Sequence, residues 1–423
     1  MLKVIPKTYS HLFSLSGFRW FWIGAALSAI GDAMSVISIV WLAIELAPHN
    51  QGIAIAFASA AYLVPGVVSG AGLGKWLGGL NSRTLLLIDC GARFGFLSAI
   101  VVLRLVGFLP FGVYITLLAL AAITRPVGIA GERVLLRDLV SQKEFFSANS
   151  LLGMATQMAS IIGPICAGLL ITLLGTANVI ALDAASFGLF GLIVWTLPGG
   201  GIARAEPSSS LTSSMPLRHL LQLRVIFWLF LLTFLFHLFY GPLVVALPLY
   251  AQFLGQQVKE SGSVILGLLW SGFGIGALLG GFVSGLRRSL ASFTAAVTIV
   301  GLWGTAVVMI STTPFVPVAI AAMTFGGFVY APYTAITTTI MQHRSPTELL
   351  ARISSYWSSM TSIASPLGTI IAGLVVPVLG VRLSLIGSGL ITLGIACAFG
   401  AAKRFKWRNT LDAGEQKKKE SPI

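Results

Sequence analysis

Apolar runs of about twenty or more residues recur along nearly the whole chain, each closed off by Gly, Pro, Asn or charged positions. A helix needs roughly 20 apolar residues to cross a bilayer, so each run predicts one spanning helix. Twelve are expected, over residues 19–46, 52–77, 84–106, 111–134, 148–174, 178–197, 222–250, 262–286, 290–312, 315–341, 352–379 and 383–402. A membrane β-barrel would instead alternate apolar and polar positions in segments of about 10 residues, and the runs show no such alternation. The predicted class is therefore an all-α membrane protein. One long polar stretch, 198–221, holds Gly199, Gly200, Gly201, Pro207 and the serines 208–210 and reads as a flexible linker. It separates an N-terminal six-helix bundle, residues 1–197, from a C-terminal one, residues 222–402, with a basic tail at 403–423.

Composition supports the solvent assignment. Of 423 residues, 56% are hydrophobic and only 9% charged, with a mean hydropathy of +0.92. The net charge of +14 would suit nucleic acid, but the basic residues form short clusters between apolar runs and no basic domain exists. The partner that composition implies is the lipid bilayer, not nucleic acid. The clusters also orient the chain, because loops rich in Lys and Arg stay in the cytoplasm. Lys3, Lys7 and Arg19 precede span 1, Arg83 follows span 2, and Arg137 and Lys143 follow span 4. Arg204 and Arg218 lie in the linker, Arg287 and Arg288 follow span 8, Arg344 follows span 10, and Lys403, Arg404, Lys406 and Arg408 follow span 12. The opposite loops hold little beyond Lys259 and Arg382. Both termini are expected in the cytoplasm of a bacterial cell, with the chain in the inner membrane.

The first apolar run is too long for a signal-peptide core and is read as an uncleaved span. Cys90, Cys166 and Cys397 all sit within apolar runs, so neither disulfides nor a metal site is expected. Lys417, Lys418 and Lys419 could bind anionic lipid; the plainer reading is a solvated tail. Trp20, Trp22, Trp41 and Trp407 read as interfacial anchors, and Tyr356 and Trp357 as core or cavity.

A shift of 205 residues superimposes one half on the other. It pairs Arg19 with Arg224, Arg83 with Arg288, Gly163 with Gly368, Gly168 with Gly373 and Gly175 with Gly380. An even number of spans lies within that shift, so the halves run in parallel, related by an axis along the membrane normal.

Ionisable groups inside a bilayer are costly and usually face a cavity or one another. Ser28, Asp32 and Ser35 share one face of span 1 at i, i+4 and i+7. The repeat carries them onto Thr233, His237 and Tyr240 in span 7. Arg125 and Glu132 share a face in span 4, and their repeat partners in span 10 are Tyr330 and Thr337. Asp89 and Arg93, at i and i+4, are expected to pair with each other. Asp183 is expected to be a structural hydrogen-bonding group. For Asp32 and Arg125 the plain alternative is a pair that only holds helices together, and for His237 a ring that only satisfies a neighbouring carbonyl.

Several motifs carry a family resemblance. They are Gly31-Asp32, Arg137-Asp138-Leu139-Val140 through Ala148-Asn149-Ser150, Gly163-Pro164, Leu182-Asp183-Ala184-Ala185-Ser186-Phe187, and Pro346 through Arg352 leading into Pro366-Leu367-Gly368. With the repeat, they resemble the major facilitator superfamily, in the branch of enterobactin exporters and macrolide-efflux proteins. The resemblance implies a substrate near the midplane between the halves. It also implies a cavity lined by spans 1, 4, 7 and 10, which would gather Asp32, Arg125, His237 and Tyr330 at one site. Gly163-Pro164-x-x-Ala167-Gly168 resembles the span-5 signature of proton-coupled exporters; small residues let helices approach and Pro164 permits a kink. Two departures stand out. The loop after span 2 usually reads Gly-x-x-x-Asp-Arg-x-x-Arg-Arg in this superfamily, but Gly78 and Gly79 replace the Asp and first Arg, and only Arg83 remains. The gate charges are then weakened, or rebuilt with Asp89 and Arg93. In span 4, Arg125-Pro126-Val127-Gly128 keeps the Arg with altered glycine spacing.

Enzyme chemistry finds no support: Ser69 through Trp76 lacks the first Gly and final Ser/Thr of a phosphate loop. No cofactor is expected beyond a proton gradient, with Asp32 and His237 as the coupling groups. The expected function is proton-driven export of an amphipathic small molecule by a monomer. Uptake or uncoupled passage is the alternative, and a non-transporting sensor or scaffold the third reading.

Overall fold

The computed structural model describes residues 7–77, 80–197, 223–286, 292–345 and 347–406. The expected linker at 198–221, Gly78, Gly79, Arg288, Pro346, Trp407 and the chain beyond Lys406 lie outside them. The helices are α1 (Lys7–Ser14), α2 (Ser16–Leu46), α3 (Gln51–Leu77), α4 (Ser82–Leu105), α5 (Phe111–Ile123), α6 (Arg125–Leu139) and α7 (Phe145–Leu174). There follow α8 (Thr176–Thr196), α9 (Arg224–Val258), α10 (Gly262–Leu286), α11 (Phe293–Thr312), α12 (Val316–Arg344), α13 (Thr347–Leu379) and α14 (Val381–Lys406). Among the described residues 12 helical stretches are long and apolar enough to cross a membrane. The all-α class and the span count agree with the apolar pattern.

Two boundaries differ from expectation for physical reasons. Span 7 continues past residue 250 to Val258, because its polar last turns keep helical geometry until Lys259 adopts a left-handed φ of 57°. Span 4 is two helices, α5 and α6. Pro126 lies in the first turn of α6, where a fixed φ and a missing N–H suit a helix start. The amides of Val127 and Gly128 both turn to the Thr124 carbonyl, at 2.9 and 3.1 Å.

The end of the molecule at which α2 begins is here the starting end, and the opposite one the far end. At the starting end α1 folds back on the first bundle. Leu12 is fully buried, and Phe13 meets Trp22 edge to face. His11 Nδ1 lies 2.5 Å from the Glu144 carboxylate, which also accepts from the Ser141 hydroxyl at 2.6 Å. Those bonds, Ser141's foremost, hold the Glu144 carboxyl below its ordinary range.

Within the first six spans, α2 packs on α7 and α8, and α4 on α6 and α8; within the last six, α10 packs on α12, α11 on α14 and α9 on α13. Two seams join the sets, α7 on α10 and α3 on α13. In the first, Gly168 lies against Ser263 and Val264, and the Ser271 hydroxyl donates to the Ile161 carbonyl at 2.9 Å. In the second, Gly52 meets Pro377 and Gly373 meets Ala56. These contacts run from the far end to mid-membrane. Trp41, expected as an interfacial anchor, instead joins the far-end closure by packing on Gly262. Trp22 likewise turns inward, donating to the Leu151 carbonyl at 3.1 Å, whereas Trp20 is half exposed.

The 205-residue repeat has a backbone signature. Gly175 and Gly380 both carry positive φ, 84° and 80°, at the turns into α8 and α14. Gly163 touches Ala33, and Gly368 touches Leu238, residues themselves related by the same shift. Since a side chain in the left-handed region is strained, Gly175→Ala and Gly380→Ala should each cost about 1 kcal/mol. Equal drops in melting temperature for the two variants would check it, and an unchanged melting temperature in either would refute it.

Candidate functional site

Asp32 is the centre of a polar cluster inside the first bundle. Arg93 of α4 and Arg125 of α6 both donate to it, Arg125 at 2.8 Å, and the Tyr62 hydroxyl of α3 donates to it as well. Arg93 also donates to Tyr62 Oη at 3.0 Å. Its guanidinium lies 3.8 Å above the Phe187 ring, while that of Arg125 lies 5.4 Å from the Tyr62 ring. The two arginines differ in setting: 7% of the Arg93 side chain is exposed and 34% of Arg125. The break between α5 and α6 explains how Arg125 gets there. Starting a new helix at that point turns its first side chain across to α2.

Around Asp32 the helices approach closely. A β-carbon on Gly31 would lie 2.6 Å from both Asp183 Oδ1 and Ser186 Oγ of α8, so only glycine lets α8 this near. Asp183 is fully buried and accepts from the Ser35 hydroxyl at 2.5 Å. Asp89 accepts from the Thr124 hydroxyl at 2.7 Å, and its other carboxylate oxygen lies against Gly128. The expected pair of Asp89 with Arg93 is therefore not formed. Arg93 is long enough to reach past its own helix turn to α2, and the better-placed Asp32 takes it. Nor does Arg125 pair with Glu132; both line one cavity.

That cavity, of about 230 Å³, lies between α2, α4, α6, α7 and α8. Its polar wall is Ser28, Asp32, Asp89, Arg93, Arg125 and Glu132, and its apolar wall includes Leu86, Ile129, Phe187 and Phe190. Among the described residues, neither Asp89 nor Glu132 forms an ion pair.

The second bundle presents a different surface. Tyr240 stacks on Trp303 with centroids 5.5 Å apart, and Tyr330 meets Trp303 at 5.6 Å and Phe273 at 5.6 Å. Phe236 and the buried Tyr333 complete the group at 5.0 Å from each other. Thr233 bonds the Tyr333 hydroxyl at 2.6 Å, and the Thr337 hydroxyl donates to the Tyr333 carbonyl at 2.8 Å. His237 Nδ1 lies 2.9 Å from the Thr233 carbonyl, its ring edge-on to Phe236. Thus Asp32 and Arg125 come together as one group, and His237 and Tyr330 belong to another. Among the described residues no hydrogen bond or ion pair joins His237 to Asp32. Trp357 packs on Phe230 at 5.1 Å, and Tyr356 is exposed.

The remaining expected residues have structural settings. Arg83 donates to the Trp195 carbonyl near the starting end, apart from Asp89 and Arg93, so those two do not rebuild a gate cluster with it. Gly163 lies against Ala33 and Met34 of α2, the Pro164 carbonyl against Gly267, and Gly168 against α10. Tyr62, Thr124, Trp303 and Tyr333 carry the geometry but stand out in no sequence pattern, and Phe187 entered only as the last residue of a resemblance motif. A signal for the first of them exists in principle: two mid-span arginines need more buried acceptors than Asp32 alone supplies.

Comparison with known proteins now decides the family. The profile of the transmembrane secretion effector family of the major facilitator superfamily matches residues 9–422. The chain belongs to this transporter family. Relatives of the transmembrane secretion effectors line up over most of the chain. An uncharacterized MFS-type transporter, y4rN, of Sinorhizobium fredii is 27% identical over 378 residues, 87% of this chain and 91% of the relative. The multidrug efflux pump Tap of Mycolicibacterium fortuitum is 24% identical over 392 residues, 89% and 93% of the two chains. Macrolide efflux protein A of Streptococcus pyogenes is 23% identical over 391 residues, 90% and 95%. Among solved structures, the POT family transporter PepTSo superimposes with a TM-score of 0.71 at 11% identity, covering 93% of this chain and 99% of its own. A bacterial homologue of the lysosomal transporter Spinster gives 0.68 at 15% identity, covering 93% and 96%. The fold is theirs, and the chain is a multi-pass transporter, not an enzyme.

Proposed function

We propose that this transporter exports amphipathic small molecules bearing positive charge, in exchange for protons, by alternating access. In this reading it sits in the bacterial inner membrane with both termini in the cytoplasm, and the structure is open toward the cytoplasm. The observation that carries the reading is the charge balance of the first bundle's interior. Four carboxylates, Asp32, Asp89, Glu132 and Asp183, face two guanidiniums, Arg93 and Arg125. Both guanidiniums are already engaged by Asp32, so an anion would compete with a carboxylate for their charge. A cation would not. A proton or a substrate cation can supply the missing positive charge, and the low-dielectric site disfavours having both. Mutual exclusion of that kind is what antiport requires. The apolar wall, with the rings of Phe187 and Phe190, suits the rest of an amphiphile, since cations and rings bind aromatic faces. The names of the multidrug efflux pump Tap and of macrolide efflux protein A support export as the direction.

The experiment is transport into inverted membrane vesicles, using a panel of quaternary and tertiary ammonium amphiphiles with neutral and anionic counterparts. Exchange of one proton for one monovalent cation moves no net charge. Accumulation should therefore follow the pH gradient, about tenfold per pH unit, and survive collapse of the membrane potential alone. Equilibration indifferent to the gradient would establish uncoupled passage instead, and accumulation only in right-side-out vesicles would establish uptake.

A further inference from the structure

Tyr62 stands where three features of α3 meet. Its hydroxyl donates to Asp32 and accepts from Arg93, and its ring lies beneath Arg125. Asp183 of α8 and Asp89 of α4 also face Arg93 of this cluster, and Glu132 lines the same cavity. Beyond Tyr62 toward the far end, α3 forms the seam with the second bundle through Gly52 and Ala56. Toward the starting end it is tied to the first bundle: Gly66 lies against the Ala122 carbonyl, Ser69 donates to the Ile123 carbonyl at 2.7 Å, and Gly70 meets Pro126. Pro65 lies between the two halves, inside the helix. A proline there removes the N–H that would bond the Ala61 carbonyl and loosens the rod at that turn. One half of α3 is thus anchored beside Arg125, the other half closes the far-end seam, and Tyr62 sits at the foot of the closing half with its hydroxyl on Asp32.

From this arrangement we propose that Tyr62 is the positioning residue that transmits the state of the Asp32 cluster to the seam between α3 and α13. When the Asp32 carboxylate loses or gains a partner, the Tyr62 hydroxyl bond changes with it. The far half of α3 then pivots at Pro65 against Gly373 and Pro377. The proposal rests on Asp32 being a group whose state changes during transport, as the export reading holds, but its test does not need protons. Coupling between two places is shown by the failure of their effects to add.

The test is the distance between spin labels attached through azido amino acids at Asn50 and Gln256, exposed positions at the far ends of the two bundles. It is measured in the full-length protein in nanodiscs, alongside melting temperatures. Asp32→Asn should shift the distance distribution in the otherwise native protein. Tyr62→Phe should shift it alone, and Asp32→Asn should add nothing in the Tyr62→Phe background. Tyr62→Gln, which keeps a donor and loses the ring, should retain part of the response to Asp32→Asn. Additive shifts, or a native distribution in Tyr62→Phe, would overturn the proposal. A glutamine variant deaf to Asp32 would transfer the effect to the ring and overturn the hydroxyl's role. Failure of the export reading would appear elsewhere, as vesicle transport indifferent to the pH gradient.

Discussion

Arg93→Ala is expected to be the most damaging single substitution in the first bundle, lowering stability by about 3–5 kcal/mol. The figure is typical of removing one partner from a buried ion pair, where the loss lies mainly in the charge left behind. Asp32 would keep Arg125, but Arg125 is one-third exposed and bonds only one of the two carboxylate oxygens. The other oxygen would keep only Tyr62, whose hydroxyl would in turn lose the Arg93 donor. Phe187 would also lose the planar cation lying 3.8 Å over its ring. Arg93→Lys should recover part of the stability. Its ammonium restores charge but not the flat, forked donor set, and a desolvated cation over a ring is worth about 2 kcal/mol. Unfolding of purified protein in detergent, compared with Arg125→Ala, measures the ordering. If Arg125→Ala proves the more destabilising, the inner position of Arg93 does not govern the cluster.

The contrast between those two arginines also shows what the sequence could and could not yield. Apolar run lengths are a direct consequence of bilayer thickness, so the twelve spans were readable, as was the repeat that reappears in the φ angles of Gly175 and Gly380. Asp32 and Arg125 could be placed together because a mid-span charge has few tolerable surroundings. Arg93 could not be assigned a partner in that way. The i, i+4 rule that suggested Asp89 describes solvated helix surfaces, whereas in a bundle the neighbouring helix competes for the same side chain. Tyr62 lies in an apolar run, Ala60-Ala61-Tyr62-Leu63-Val64, and shows no periodicity of its own. The division between a charged bundle and an aromatic bundle was obscured by the repeat itself. The repeat superimposes the scaffold of the halves, but the same positions carry different chemistry: Asp32 against His237, and Arg125 against Tyr330. Symmetry preserved the scaffold while the chemistry of the two walls separated.

Substitution of Asp32 is where charge balance and coupling can be told apart. Asp32→Asn keeps the shape of the side chain but leaves Arg93 and Arg125 without the carboxylate that both of them touch. The expected cost is about 3 kcal/mol, the lower end for removing one partner of a buried ion pair, since both guanidiniums lose the carboxylate they bond directly. Poor yield alone would therefore say nothing about transport. The double variant Asp32→Asn with Arg125→Gln removes one charge of each sign, and should restore most of the lost stability because Arg93 retains Asp89 and Asp183 nearby as counter-charges. Two contributions in one network are not additive, so the double variant should be more stable than Asp32→Asn alone. Uphill transport, normalised to folded protein, should stay at least about tenfold below wild type in both variants, a difference of about 1.4 kcal/mol in driving free energy. Downhill exchange of a labelled cation should persist in the double variant, because Asp89 and Glu132 still line the cavity. If Asp32 merely tied helices together, the rescue of folding would rescue pumping as well. Recovery of a full gradient by the charge-balanced variant would end the case for Asp32 as the coupling carboxylate.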